Sequence, residues 1–281
     1  MELKNDHTLT FIGGGNMTFS LISGLITTGF SPKNIWVTDP DPKKLDSLHQ
    51  HFGVHITENN IQGAQCADVV VLAVKPQQMK GVATGLNHLI DNNPLWLSIA
   101  AGIRTTDLSN WFKKPVPILR AMPNTPSSVQ AGATALFANR YVSVDQKKLA
   151  ESIFQAVGLV LWLEDETLIE IVTALSGSGP AYFFLVMEAM EEAAVKLGLD
   201  PQSARLLTFQ TALGAAKMVT NHQDQSAAIL RQQVTSPKGT TEQAIFSLEK
   251  ANLREIFFQA LQAAHHRAQE LTQELGATHD A

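Results

Sequence analysis

The chain has a single cysteine, no block of like charges, no low-complexity tract and no long uninterrupted apolar run. Each absence removes a class of function. Cys66 has no partner for an internal disulfide and no neighbouring Cys or close His for a metal site, so it reads as a packed thiol. The net charge of −5 is spread along the sequence, and no stretch of Lys and Arg interleaves with aromatics to follow a phosphate backbone, which argues against nucleic acid as a partner. The longest apolar run near a helix, Ala181 to Met187, is shorter than a bilayer span requires, so no membrane partner is expected. Met1 to Thr10 carries Lys4, Asp6 and His7 before a short apolar run and lacks the layout of a secretory signal, so a soluble cytoplasmic protein is expected. The histidines offer no Ser-His-Asp or metal constellation; His265 and His266 are adjacent on a helical stretch and diverge.

What is present is an ordinary soluble balance of 44% hydrophobic and 17% charged residues in 281, enough for two domains with separate cores. From Thr8 to about Phe137, short β-rich runs alternate with helical stretches, the pattern of a parallel sheet covered by helices. The expected strands are Thr8–Ile12, Ile35–Thr38, Val69–Val74, Leu95–Ile99 and Val116–Arg120, with an edge strand at Leu159–Leu163. Helices are expected between them over Met17–Thr28, Pro42–Phe52 and Gln77–Leu89. Beyond about Thr167 only helical segments remain: Pro180–Leu197, Pro201–Val219, Thr240–Ala251 and Leu253–Leu275. The first of these is apolar on all sides for two turns, so burial on every side is expected, with neighbours that include a second subunit. The boundary falls near Glu164–Thr167, giving an α/β dinucleotide-binding domain over 1–165 and an all-α domain over 166–281.

Two sites stand out. Gly13-Gly14-Gly15-Asn16-Met17-Thr18 lies between the first strand and a helix, where Gly13 permits a tight turn and Gly15 lets backbone approach a pyrophosphate at the helix start. The third small position is Thr18 rather than Gly or Ala. Asp39 ends the second strand, where a carboxylate accepts hydrogen bonds from an adenine ribose and disfavours a 2′-phosphate; this leans toward NADH, although Lys43 and Lys44 stand near and Asp-Pro is also a common turn. Lys75 precedes Pro76 at the carboxyl end of a strand, Ser98–Gly102 ends another in small residues, and Asn124 lies in the loop after a third; Lys75 and Asn124 read equally well as ordinary loop residues. In the second half, Ser178 and Pro180 suit a helix start. Val234-Thr-Ser-Pro-Lys-Gly-Thr-Thr241 sets hydroxyls and a glycine before another helix, either as helix caps or as a nest for a carboxylate.

Taken in order, the blocks Phe11–Met17, Ala73–Gln77, Ser98–Gly102, Arg120–Pro126, Ser176–Phe184 and Val234–Thr241 resemble the pyrroline-5-carboxylate reductases along nearly the whole chain. The resemblance implies a Rossmann-type NAD(P)-binding domain followed by a helical dimerisation and substrate-binding domain, forming a homodimer or a larger assembly of dimers. It implies reduction of the imino acid 1-pyrroline-5-carboxylate to L-proline, the last step of proline biosynthesis, with NADPH or NADH as cofactor. By motif, Gly13 and Gly15, with Asn16 and Met17, serve the pyrophosphate, and Asp39 and Asn60 lie near the adenosine. Ala73, Val74, Lys75 and Pro76 then flank the nicotinamide with Ala100, Ala101 and Gly102. Ser236, Gly239, Thr240 and Thr241 bind the substrate carboxylate, and Thr241 and Lys75 are the catalytic residues, the Thr241 hydroxyl facing the imine nitrogen. Lys238 stands where the family usually has a small residue, typically Gly, while Gln232 and Ser226-Ala227 replace a common Asp and His-Pro. Alternatives are a related reductase for another cyclic imine or a small hydroxy acid, and a non-catalytic dinucleotide-binding protein. The apolar stretch after Pro180 lacks the base that a hydroxy-acid enzyme needs.

Overall fold

Residues 6–276 are described in a computed structural model; Lys4 lies outside them. Eight strands form one sheet in the order β3-β2-β1-β4-β5-β6-β7-β8. They are β1 (Leu9–Ile12), β2 (Ile35–Thr38), β3 (His55–Thr57), β4 (Val69–Leu72), β5 (Leu95–Ser98), β6 (Ile118–Met122), β7 (Gly132–Ala138) and β8 (Gly158–Trp162). The helices are α1 (Asn16–Thr27), α2 (Pro42–Phe52), α3 (Asn60–Ala64), α4 (Pro76–Gly85), α5 (Thr105–Phe112) and α6 (Val144–Gln155). They continue as α7 (Leu168–Val172), α8 (Gly179–Lys196), α9 (Pro201–Asn221), α10 (Ala227–Gln233), α11 (Thr240–Lys250) and α12 (Leu253–Gly276).

β1, β4 and β5 are buried at every position because helices cover both sheet faces, so a strand between them has no polar side to offer. One core joins Phe11, Leu21, Leu25, Val71 and Leu97; the other joins Ile12, Val70, Met79, Trp96 and Phe112. Local chemistry sets the helix ends. Asp41 caps α2 by accepting from the Lys43 N–H, Pro42 fills its first turn, and Gly53 closes it at φ +70°. The first six strands are parallel, with the chain reversing direction across the sheet at β1 and β4, where open α/β folds bind their ligands.

Several expectations change. β7 runs antiparallel to β6, and β8 is parallel to β7, so the sheet is mixed at one end. β8 is the expected edge strand, and its outward Leu159 and Leu161 are exposed. Cys66 is exposed, in the turn between α3 and β4. Ser178 does not cap a helix. The chain runs from α7 through a π-helical turn, Thr173–Gly177, straight into α8, and the Ser178 N–H donates to Thr173 O at 2.9 Å. This continuity makes Leu168–Lys196 a 29-residue helix, longer than the run Ala181–Met187 suggests and, by length and composition only, long and apolar enough to cross a bilayer.

The chain divides into a unit formed by residues up to Ser178 together with those from Ala264 on, and a second unit, Gly179–Ala263. The division therefore lies beyond the expected boundary at 165/166, and the end of α12 belongs to the first unit. A buried charge is one of the ties that hold the end of α12 to the first unit. Arg120 on β6 is 2% exposed, and its Nη1 lies 3.4 Å from Glu166 and 3.5 Å from Glu170, while the Thr272 hydroxyl of α12 donates to Glu170. In the second unit α8 buries only Gly179 and α11 buries nothing. The burial expected on every side of the apolar helix is not supplied by the chain itself: Phe183 is 68% exposed, beside exposed Phe184 and Leu185.

Gly158 has φ +150°, and a Cβ there would overlap the Gly132 backbone on the neighbouring strand. Gly158→Ala should cost about 3 kcal/mol or more of stability in urea unfolding, because backbone strain and overlap add; a loss below about 1 kcal/mol would contradict the pairing of β7 with β8.

Candidate functional site

The loop from β1 to α1 is shaped by close approach of two backbones. Gly13 has φ +109°, and a Cβ there would sit 2.6 Å from the Ala73 carbonyl oxygen at the end of β4. Its N–H donates to Thr38 O at 2.7 Å, so the turn is tied to β2 as well. Thr18 is fully buried, and its hydroxyl donates to Gly13 O at 2.6 Å, a bond that the usual Gly or Ala at this position could not make. Gly15 is the N-cap of α1, has no neighbour within 4 Å for an added Cβ, and leaves the helix start without a side-chain cap. The first-turn N–H groups of α1 are thus open to an anion, and the space over Gly15 admits one, so the loop fits a dinucleotide pyrophosphate. Asn16 is exposed beside it, and Met17 packs partly against the core.

Asp39 is buried to 6% exposure, its Oδ2 accepting from the Gly14 N–H at 2.8 Å and its Oδ1 from the Asp41 N–H at 2.9 Å. Lys44 Nζ is 3.4 Å from both oxygens. Asn60 opens α3 and accepts from the Thr38 hydroxyl at 2.6 Å. The carboxyl ends of β1, β2 and β4 thereby gather Gly13, Gly15, Asp39, Asn60 and Ala73 at one edge of the sheet.

Along the same edge, Lys75 is exposed and extended at φ −59°, ψ 145° before Pro76, which opens α4. Ala73 and Val74 are half-buried. After β5, Ala100 is buried, Ala101 half-buried, and Gly102 takes φ +74°. Asn124 is engaged at both ends, donating to Ser176 O at 3.0 Å and accepting from the Ala133 N–H at 2.9 Å. It is a latch between the loop after β6 and the π-helical turn.

In the second unit, Ser236, Thr240 and Thr241 are exposed around Gly239, the N-cap of α11, which has no side-chain cap. The capping role allowed for these hydroxyls is therefore not taken. Other helix starts differ: α2, α6, α9 and α10 are capped by Asp41, Ser143, Asp200 and Ser226. The Gly239 N–H donates to Ser236 O and the Lys238 N–H to Glu242 Oε2 at 2.8 Å, which leaves the N–H groups that begin α11 facing outward. Lys238 sits at φ +59°, a left-handed conformation that Gly adopts without strain and a side chain does not. The sequence reading missed Arg120, Glu166, Glu170 and Thr272 as a cluster; an arginine inside an otherwise apolar strand was the available signal.

Gly15→Ala should leave unfolding free energy within about 1 kcal/mol of wild type, since the added methyl meets nothing in the protein. The same change should weaken NADH binding at least about tenfold in a fluorescence titration, by occupying the space the pyrophosphate needs; undiminished affinity would remove the loop from the cofactor site.

Comparison with known proteins agrees with this arrangement. Residues 166–271 match the family model for pyrroline-5-carboxylate reductase dimerisation, and residues 8–102 match that for NADP oxidoreductase, coenzyme F420-dependent. Pyrroline-5-carboxylate reductase of Pseudomonas aeruginosa is 46% identical over 268 residues, covering 95% of this chain and 98% of that protein. The solved structure of a pyrroline-5-carboxylate reductase from Coxiella burnetii is similar with a TM-score of 0.91 and 55% identity, covering 95% of this chain and 98% of the other. The Plasmodium falciparum pyrroline carboxylate reductase crystallised with NADP bound gives a TM-score of 0.85 at 28% identity, covering 95% and 99% of the two chains. With a Rossmann-type sheet and its glycine turn at the front, a matched dimerisation region behind, and likeness end to end, the chain belongs to the pyrroline-5-carboxylate reductase family.

Proposed function

We propose that the protein is a pyrroline-5-carboxylate reductase, reducing 1-pyrroline-5-carboxylate to L-proline with NADH or NADPH as the closing step of proline biosynthesis. The observation that carries this reading is the start of α11: Thr241 stands in its first turn behind an uncapped Gly239, inside a chain that is 46% identical to a curated enzyme of that name over nearly its full length.

A reduced nicotinamide, when bound, would supply the hydride for the imine carbon, and the proton that the amine product needs would come from solvent. The chain's own residues bind and orient. Gly13, Gly15, Asn16 and Met17 seat the pyrophosphate at the start of α1, and Asp39 and Asn60 hold the adenosine. Ala73, Val74, Lys75 and Pro76 on one loop and Ala100, Ala101 and Gly102 on another flank the nicotinamide, small residues allowing close approach of backbone. Ser236, Gly239 and Thr240, with the free N–H groups of α11, receive the substrate carboxylate at the positive end of the helix dipole. The Thr241 hydroxyl donates to the imine nitrogen, which raises the electrophilicity of the carbon and holds it in line. Lys75, exposed at the start of α4, supplies a cation on the nicotinamide side of the site. The Asp39 carboxylate, held by the Gly14 and Asp41 N–H groups, gives the lean toward NADH, with Lys44 offsetting part of its charge.

The helical unit Gly179–Ala263, within the region expected over 166–281, acts as the dimerisation and substrate-binding part of a homodimer or an assembly of dimers. The exposed Phe183, Phe184, Leu206, Leu207 and Phe258 are the surface a second copy covers, and the apolar length of Leu168–Lys196 serves that interface rather than a bilayer. Nucleic acid has no role in this reading. A cytoplasmic location is part of this reading, supported by likeness to bacterial reductases such as that of Pseudomonas aeruginosa.

Oxidation of NADH and NADPH by the purified protein, with and without 1-pyrroline-5-carboxylate, tests the activity; substrate-dependent oxidation is expected, and none with either cofactor sinks the proposal. Thr241→Val should lower kcat by about 10²-fold or more, with Thr241→Ser recovering most of it. Asp39→Asn should lower the NADH to NADPH ratio of kcat/KM about tenfold, and an unmoved ratio would take the preference away from Asp39.

A further inference from the structure

Arg120 lies on β6 with its guanidinium inside the protein, and the two carboxylates that face it are each tied to a different element. Glu166 Oε1 accepts from the Thr105 N–H at 2.8 Å, and its Oε2 accepts from the Thr105 hydroxyl at 2.7 Å. Thr105 opens α5, just beyond Gly102. Glu170 Oε1 accepts from the hydroxyl of Thr272, a buried residue of α12 whose single hydrogen is shared with Ala268 O at 2.9 Å.

The same turns of α12 close over Gly102. A Cβ at Gly102 would lie 2.9 Å from Leu275 Cδ1 and 3.4 Å from the Leu271 backbone. The next turn reaches Asp107, whose Oδ2 accepts from the Arg104 N–H at 2.9 Å and whose Oδ1 would be 3.3 Å from a Cβ on Gly276. The segment Ala100–Thr105 is therefore fastened at its far end through Glu166 and covered at Gly102 by a helix fastened through Glu170. Both fastenings meet at one guanidinium.

We propose that Arg120, Glu166, Glu170 and Thr272 form a positioning cluster that sets the height of the Ala100–Gly102 loop under the nicotinamide, so that the end of α12 takes part in hydride transfer without touching the reactants. The proposal rests on the reading of that loop as the nicotinamide shelf. Buried hydrogen-bonded charges suit this task because they have one low-energy arrangement, whereas apolar packing alone allows small slides. A displacement of about 1 Å at a reacting centre is enough to cost about 10²-fold in rate.

The test uses the full-length enzyme with changes that leave the buried charge balanced. Glu166→Gln keeps the Arg120–Glu170 pair but offers Thr105 only one acceptor, and Thr272→Val keeps the shape of α12 without its hydroxyl; Thr272→Ser is the control that keeps it. Two quantities are measured: amide hydrogen exchange of residues 99–105 in the protein without cofactor, and the single-turnover rate of hydride transfer from 4-deuterated NADH to 1-pyrroline-5-carboxylate. Glu166→Gln and Thr272→Val should each speed exchange in that segment about tenfold and slow hydride transfer about tenfold, with KM for NADH within about twofold, and Thr272→Ser should behave as wild type. Unchanged exchange and hydride transfer, or losses that only follow the folded fraction and are not restored by serine, would overturn the cluster's role. A wild-type enzyme that does not reduce the imine at all would instead overturn the functional reading beneath it.

Discussion

A guanidinium buried in a sheet cannot be left alone, and the arrangement of the first unit follows from that constraint at Arg120. Desolvating one charge without a partner costs several kcal/mol, so the chain must bring carboxylates to β6. They come from Glu166, in the turn before α7, and from Glu170 within α7, which ties this segment to the sheet, and Glu170 is in turn bonded by Thr272 of α12. From Ala264 on, α12 therefore packs with the dinucleotide-binding half, although the same helix begins in the other unit. Satisfying that charge, together with the packing of Leu271 and Leu275 over Gly102, ties the end of α12 to the first unit.

The two proposed anion sites share a device. α1 and α11 both begin on a glycine with no side-chain cap, whereas α2, α6, α9 and α10 satisfy their first N–H groups with their own Asp or Ser. A helix start that is uncapped within the protein keeps its donors and its partial positive charge for something else, and a glycine at the cap leaves room for it. At α1 the loop is fixed before any ligand arrives, through Thr18, Thr38 and the close approach of Gly13 to Ala73. At α11 the loop is fixed by the Lys238 to Glu242 bond, even though Lys238 adopts a conformation that suits glycine better.

The helical unit has the opposite economy. Its longest helices leave Phe183, Phe184, Leu206, Leu207 and Phe258 in the open, more apolar surface than a monomer commonly shows. Residues 166–271 match a dimerisation family, and an apolar helix of this kind acquires its core from outside its own chain.

The sequence by itself determined the class of the fold, the position of the glycine turn between β1 and α1 and the identity of the family, because these depend on short-range patterns. A buried parallel strand must be apolar along its length, a turn at positive φ needs glycine, and a helix needs a stop; such rules are written in neighbouring residues, and β1, β2, α2 and the Gly13–Gly15 turn were legible for that reason. The antiparallel β7, the exposure of Cys66, the double engagement of Asn124 and the π-helical passage through Ser178 were not. Each is decided by which distant segment supplies a hydrogen-bond partner or a cover. Only the tertiary structure decided that Arg120, Glu166, Glu170 and Thr272 meet, since the last is separated from the first by most of the helical half and nothing in local sequence encodes which buried charge a remote hydroxyl will serve.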